Sequence, residues 1–521
     1  MKRKEFIGID LGTTFSEVAH VTKSGAVEVI PNSDGDLKTP SVASVASGKV
    51  IIGKAAWPDF VLAPNFTARC YKRFMNRNAE NDKPIPLLFD PSGREWTAVD
   101  FSAAMLAYLK GCAEQYLGVK VENAIITVPA YFTEPGRNNI KAAGQIAGFH
   151  TVELLDEPVA AALYYGLEKG RDETVVVVDS GGGTTDVNAM EVSGKSTHVI
   201  VTDGDSELGG SNYDEVIFAW MCDQARANGI EISADKDLAT FNQNLDRARE
   251  GKEMLSRRDE VTLIAEAEGK RVPIKFTRQM LAEAGRPLDE RFINCCKRVA
   301  DELHSRGKRI DRVLLVGGNC RQPHVVEMVQ TVFGLEPSKD TDPDIVVAKG
   351  AAIWAAVCFG SKGQSVAIGE HRYLASEIEM KTVAAHAICV AAQRNKGDSK
   401  EYNCLIVPAN TPLPHEFEER FAPANPGSSE VVLKIVQGKE NEPSKNSTLL
   451  RTITVPIRPS DNDENRIKLK GQYTAEGLVE VTIVDDLLGR PISDSFVYRA
   501  GLSDAEIDQK RRQLRKDMGD A

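Results

Sequence analysis

Two short segments of this chain combine a carboxylate, glycines and hydroxyls in the same order. The first is Asp10-Leu11-Gly12-Thr13-Thr14, and the second is Asp179-Ser180-Gly181-Gly182-Gly183-Thr184-Thr185-Asp186. Glycines free backbone N–H groups to converge on an anion such as phosphate, and carboxylates hold Mg2+ through its water shell. Each segment follows a β-branched run that reads as a strand, so each leading carboxylate falls at a strand end. One such turn alone is as easily a plain strand ending. Two in matched context point to similar half-domains facing each other across a cleft, with a nucleotide gripped between them.

A third cluster, Val316-Gly317-Gly318-Asn319-Cys320-Arg321, also ends a strand before a helix. Its functional reading is close backbone approach to a nucleoside, with Arg321 near the base plane. Its plain reading is a common strand-to-helix turn. Gly194-Lys195-Ser196 looks like the tail of a P-loop, but Ala189 stands where the opening glycine is required, so a surface turn is expected.

The elements that must position these residues are of α/β type up to about residue 360. Strands are expected at Phe6–Asp10, Ala124–Val128, Thr174–Asp179 and Arg312–Val316. Helices are expected at Phe101–Leu117, Pro135–Ala147, Pro158–Glu168 and Pro323–Phe333, three of them opening on a proline that suits a first helical turn. Residues 361–380 lack a clear period and read as a connection. From 381 to 500, strands at Tyr402–Val407, Glu430–Val436, Leu449–Ile457, Arg466–Leu469 and Leu478–Val484 are punctuated by Pro and Gly, as in a β-sandwich. Residues 501–521 open a charged helix with Ser503 as its N-cap. The fold class is therefore α/β: a two-lobed nucleotide-binding domain at 1–360, an all-β sandwich and a short C-terminal helix.

Bulk composition narrows the function classes. The 521 residues carry a formal net charge of −11, which argues against general nucleic-acid binding. No apolar run approaches the roughly 20 residues that span a bilayer, so no membrane association is expected. The N-terminus lacks the uninterrupted apolar stretch of a secretory signal. Nine scattered cysteines without a C-x-x-C pair suit buried thiols in a reducing, cytoplasmic setting.

Taken together, the chain resembles the DnaK-type seventy-kilodalton heat-shock chaperone family, within the actin-like ATPase superfamily. The likeness runs through Ile7–Thr14, Ile126–Phe132, Asp156-Glu157-Pro158-Val159-Ala160-Ala161-Ala162, the Asp179 segment, Leu208-Gly209-Gly210 and Val316-Gly317-Gly318. It implies an actin-like ATPase fold followed by a peptide-binding β-sandwich. It also implies Asp10 and Asp179 as water-mediated Mg2+ anchors, with Asp10 also meeting a monovalent cation such as K+. Gly12, Thr13, Thr14, Gly181, Gly182, Gly183 and Thr184 would cradle the phosphates of ATP or ADP. Lys72 would sit near the γ-phosphate, its plain reading being a solvated surface lysine, and Glu157 would orient the attacking water. Such chemistry relies on positioning and charge stabilisation.

The resemblance further assigns Gly210, Lys252, Ser256, Gly317, Gly318, Asn319, Arg321 and Asp344 to the nucleotide's adenosine side. Arg249 stands where the family has a glutamate, and Glu253 where it has an arginine that stacks on adenine, so weaker ATP binding is expected. In the second domain, Phe421, Ala424 and Val431 match positions lining an apolar pocket for extended peptide; their plain reading is ordinary sandwich core. Of the family's helical lid only the start, Asp504–Asp517, is present, which implies fast peptide exchange. Ser376–Met380 replaces the family's leucine-rich acidic linker. Glu153 and Asp156 replace residues that help a J-domain co-chaperone engage, while Arg137 matches. A J-domain partner and a nucleotide-exchange factor are thus implied, with the former contact altered.

The reading that results is an ATP-dependent chaperone for extended hydrophobic segments of unfolded proteins, hydrolysing ATP slowly. A nucleotide-binding scaffold or co-chaperone with little turnover is the alternative. A sugar-kinase-like activity shares the phosphate turns but leaves Asp156-Glu157-Pro158 and the β domain unexplained.

Overall fold

The computed structural model describes residues 5–77, 83–338, 345–394, 400–460, 465–475, 477–488, 490–491, 496–497 and 502–519. Two sheets repeat one local plan. In the first, Glu5–Asp10 pairs antiparallel with Phe15–Val21 and parallel with Val121–Val128. In the second, Asp172–Ser180 pairs antiparallel with Thr185–Ser193 and parallel with Arg312–Val316. The first sheet extends to Thr151–Asp156 on one side and Val27–Val29 on the other, and the second to Ser196–Asp205. Their central strands are near-continuous apolar runs because both faces are covered: Ile7, Ile9 and Val175 to Val178 are all buried.

The expected helices form as Ala98–Leu117, Glu134–Ile146, Glu157–Lys169 and Pro323–Phe333. Glu157–Lys169 and Val346–Phe359 lie between the two sheets, sharing one core with Phe6, Ile125, Val175 and Val177. Their crossing is close: a Cβ on Gly350 would stand 1.9 Å from Ala160 O, so no side chain fits there. Gly194 lies in the turn between Thr185–Ser193 and Ser196–Asp205, as expected of a surface turn. A further subdomain of the second lobe joins the hairpin Glu260–Ala267 and Lys270–Thr277 to helices Gly210–Ala227 and Leu238–Leu255 around its own core.

Residues 361–380 hold more structure than a bare connection. Ser365–Ile368 and His371–Leu374 form a hairpin. Glu379–Lys381 then pairs parallel with Ser196–His198, becoming the fifth strand of the second sheet. Strands this short leave too little periodicity to be read from sequence.

Beyond it, Glu401–Val407, Ile388–Gln393, Glu430–Gln437 and Thr448–Pro456 form one sheet. His415–Phe421, Ile467–Tyr473 and Val479–Asp485 form most of another. Alternating residues of both, among them Leu433, Ile435, Ile467, Leu469, Val481 and Ile483, share a single core, which makes this a β-sandwich.

The sandwich rests on the first domain through polar contacts. Glu134 N donates to Gln437 Oε1 at 3.0 Å, and Val479 N to Glu134 Oε1 at 3.2 Å. Thr202 N donates to Asn410 Oδ1 at 2.8 Å, and His386 Nε2 lies 3.0 Å from Tyr131 O. The C-terminal helix, Asp504–Met518, opens on a Ser503–Glu506 capping box. It returns to the first lobe, burying Ile507 and Leu514 in the core that holds Phe101 and Ile140. At about 1.5–3 kcal/mol for each fully buried aliphatic side chain, these two anchors are its main attachment.

Candidate functional site

The two carboxylate-glycine turns meet. A Cβ on Gly182 would lie 2.3 Å from Thr14 Oγ1, and one on Gly183 would lie 3.1 Å from Thr13 Oγ1. A side chain at Gly182 would therefore displace the Thr14 hydroxyl from its place against the second turn. The second turn is closed by Gly181 N donating to Thr184 O at 3.0 Å. Helix Gly210–Ala227 starts directly on it, with Gly210 N donating to Gly181 O at 2.9 Å and Ser211 N to Gly182 O at 2.8 Å. The third cluster joins them, since Gly317 packs on Ser180 O and the Asp179 carboxylate. Gly12, Thr13, Thr14, Gly181 to Thr184, Gly210, Gly317 and Asn319 are therefore gathered around one cleft. Gly318 is exposed beside it.

Behind the turns lies a charged cluster. Lys72, on the short 3-10 turn Tyr71–Phe74, is buried and ion-paired with buried Glu157. That excludes the solvated-lysine reading. Glu157 opens its helix, where the positive end of the helix dipole favours a carboxylate. Asp10 Oδ1 accepts from Thr127 Oγ1 at 3.1 Å. Burial pushes the Asp179 carboxyl well above the usual range, with repulsion from Glu157, Asp186 and Asp10 adding to it and Lys72 opposing. Asp186 is raised in the same way, although its Oδ1 accepts from Tyr131 N at 2.8 Å. Glu157, Asp179 and Asp186 thus share Lys72, with Asp10 beside Asp179, an excess of carboxylates that suits an incoming cation. Among the described residues no group of three or more His, Cys, Asp or Glu side chains is placed to hold a metal directly. The set fits a hydrated Mg2+ better than a bare one.

The adenosine end is less complete. Lys252 is buried, donates to Gly210 O at 2.6 Å and pairs with Asp214 at 2.7 Å. Ser256 turns its hydroxyl to Glu253 O at 2.6 Å, within its own helix end. Arg321 is exposed at the end of the turn Gly318–Arg321, and Asp344 lies outside the described residues. Arg249 is held by Asp246 and Glu253 and lies over the Trp57 ring at 5.2 Å. Across the cleft mouth, first-lobe arginines pair with second-lobe acids: Arg69 with Asp246 at 3.0 Å, Arg73 with Glu215 at 3.2 Å, and Arg77 with Glu207.

In the sandwich, Phe421 and Val431 lie in different sheets, each half-buried against the shared core. Ala424 is exposed in the bend after His415–Phe421. Asp186, Ser180, Thr185 and the arginine pairs carried no role in the sequence reading. Asp186 closes the quoted second segment, and its alternation with Asn188 and Met190 on a strand was the one available signal that it points inward.

Comparison with known proteins agrees with this fold. The family model described as Hsp70 protein matches residues 6–519. The chaperone protein DnaK of Thermosipho melanesiensis is 32% identical over 517 residues, covering 98% of this chain and 83% of its own. Chaperone protein DnaK of Thermotoga petrophila and of Thermotoga maritima are each 32% identical over 520 residues, covering 97% of this chain and 83% of theirs. The chain belongs to the Hsp70 family, as a distant DnaK homologue with the mixed α/β Hsp70 fold. It is an Hsp70-family chaperone, and that family binds ATP with Mg2+, hydrolyses it and binds unfolded peptides. Among the described residues no helix is long and apolar enough to cross a membrane.

Proposed function

We propose that this chain binds and slowly hydrolyses MgATP in the cleft, and that the nucleotide tunes how the sandwich holds extended hydrophobic peptide. The observation that carries the reading is the buried Lys72–Glu157 pair set behind two interlocking glycine turns, beside the raised Asp179. N–H groups of the two turns other than those of Gly12 and Gly181, which are spent within the fold, bind phosphate, with Thr13, Thr14 and Thr184 supplying hydroxyls. Asp10 and Asp179 orient the water shell of Mg2+, and Asp10 also meets K+. When bound, Mg2+ neutralises charge on the phosphates. Glu157 accepts a hydrogen bond from the attacking water and aims it, while Lys72 offsets charge on the transferring group.

Peptide lies against Phe421 and Val431, hydrogen-bonded as an added strand. The domains communicate through the contacts of Glu134 and His386, which bridge the two halves, and through the strand Glu379–Lys381, which leads from the second lobe's sheet into the sandwich. A J-domain protein and an exchange factor are the expected partners, working in the cytoplasm. Phosphate release measured with and without an aliphatic peptide, on wild type and Thr184→Ala, tests the reading. Peptide stimulation in wild type, lost in the variant, supports it; silence in both overturns the coupling.

A second reading is a nucleotide-holding scaffold with little turnover. Arg249 favours it, because Asp246 and Glu253 hold its guanidinium at the rim of the nucleoside end. Full cellular function of Glu157→Gln would decide for the scaffold.

A further inference from the structure

Two helices cross between the lobes, and each packs on the sheet of the other lobe. A Cβ on Gly8 in the first sheet would stand 2.1 Å from Ala352 N, and one on Gly166 would stand 3.1 Å from Val192 Cβ in the second. Val346–Phe359 is therefore fixed to the first sheet and Glu157–Lys169 to the second, with the crossing at Ala160 and Gly350 as the pivot between them. At about 1.5 Å per residue, Glu157 lies about 5 Å from this pivot on one side and Leu167 about 10 Å on the other. A small rotation at the phosphate end thus becomes a larger one at the far end.

That far end is bridged by the hairpin Ser365–Leu374, whose two-residue turn opens on Gly369 at φ +56°. On one side the hairpin holds the first sheet. Ala367 N donates to Gly25 O at 2.7 Å, and Arg372 Nη2 to Ser24 O at 2.9 Å, both in the turn between Phe15–Val21 and Val27–Val29. Alternate pairs of an antiparallel hairpin leave their N–H groups facing outward, so Ala367 spends on the lobe a donor its own ladder does not need. Gly25 is at φ +93°, and a Cβ there would stand 3.0 Å from Ser365 O, so a side chain would press on the hairpin. On the other side the hairpin holds the helix of the second sheet. Tyr373 is buried and its OH donates to Leu167 O at 2.8 Å, one of the carbonyls a helix end leaves without an internal partner. The His371 ring lies against Gly170, the C-cap of that helix. Lys195, in a turn of the second sheet, pairs with Glu377 at 2.7 Å just after the hairpin.

We propose that this hairpin is a strap that ties the long arms of the pivot and limits how far the two lobes open, slowing escape of the nucleotide. The first half stands on packing alone; the second rests on the nucleotide reading above. Opening rotates one helix past the other. That motion separates Gly25 from Leu167 and must break the bonds made by Ala367, Arg372 or Tyr373.

The test uses two readouts on the full chain. Single-molecule fluorescence transfer between dyes on non-canonical residues at exposed Leu62 and Arg226, one in each lobe, reports opening without nucleotide. Stopped-flow release of a fluorescent ADP reports escape. Ala367→Pro with Arg372→Ala, which cuts the bonds to the first lobe, should populate a more open state and speed release about tenfold, the loss expected from two hydrogen bonds of ordinary strength. Tyr373→Phe keeps the ring in the core and removes only the OH. It should shift both readouts the same way, by about threefold in release, and guards against misfolding of the first variant. Leu374→Ala, exposed on the same hairpin, should move neither. Unchanged lobe distances in both strap variants, or equal opening in Leu374→Ala, would overturn the proposal. Opening without faster release overturns its second half. Absence of ADP binding to folded wild type sinks the parent reading and leaves the fluorescence result to judge the strap.

Discussion

Lys72 and Glu157 stand 85 residues apart in the sequence and form a buried ion pair beside the two glycine turns. Removing one partner leaves an uncompensated charge, at a cost of about 3–5 kcal/mol for a well-buried pair. Lys72→Met should therefore lower both stability and turnover, the latter at least a hundredfold, because Glu157 would then face Asp179 and Asp186 without its cation. Glu157→Gln should preserve more of the stability and lose turnover alone. Calorimetric melting beside single-turnover phosphate release separates the two effects.

The domain interface contains two buried ionisable groups of opposite tendency. Burial pushes His386 down to about 4 from its ordinary 6.5, with Tyr131 O, Arg137 and Asp203 around it. A depressed imidazole supports docking fully above about 6.5 and loses that support as pH falls toward about 4. Burial raises Glu134 well above its ordinary value, with Val479 N and Arg137 opposing. Its support runs the other way, present at acid pH and lost as pH rises. In Glu134→Gln the histidine acts alone, so docking should weaken on acidification from pH 6.5 to 4.5. In Glu134→Gln with His386→Leu this dependence should flatten. Distances between spin labels on the two domains report it.

The C-terminal helix is bound by side chains as well as its apolar face. Arg94 pairs with Asp517 at 2.7 Å, Lys510 with Asp100 at 2.6 Å, and Lys83 with Glu506 at 2.9 Å. These pairs are partly solvated and worth about 1 kcal/mol or less each, so Leu514→Ala should release the helix far more readily than Arg94→Ala. Amide hydrogen exchange across residues 504–518 should rise about tenfold or more in the first and little in the second.

Phe421 and Val431 are half-buried, while Ala424 is exposed in the neighbouring turn. Val431→Phe should lower affinity for an aliphatic peptide at least tenfold and leave MgATP affinity unchanged. Ala424→Ser should change neither. Fluorescence anisotropy with a labelled extended peptide gives both comparisons.

Arg69 bridges to Asp246, and its guanidinium also covers the Phe60 ring at 4.4 Å. With Arg73 and Arg77 it ties the lobes across the mouth of the cleft. Arg69→Ala should speed ADP release several-fold. Release from wild type should accelerate with salt, since screening weakens partly exposed pairs. Stopped-flow release of a fluorescent ADP shows either effect.

Much of this was legible in the sequence because its signals are local. A carboxylate, glycines and hydroxyls in one turn identify themselves, and so do proline-headed helices such as Pro323–Phe333. Pairings between distant residues left no such mark. Lys72 reads as any surface lysine until Glu157 is beside it, and Ser503 was readable as a cap while the lobe that receives its helix was not. His415–Phe421 escaped notice because its three glutamates and one arginine hide the alternation around Phe417.

The strand Glu379–Lys381 has a consequence for how these two domains can be spliced. Successive side chains along a strand alternate sides, so its phase decides whether Met380 faces the shared apolar core or turns away from it. Lengthening the tether just before Glu379 by one residue puts the chain out of phase with Ser196–His198, and lengthening it by two restores the parity. Tether length in this molecule therefore counts in odd and even numbers, and a natural or designed insertion there is tolerated according to its parity before its size.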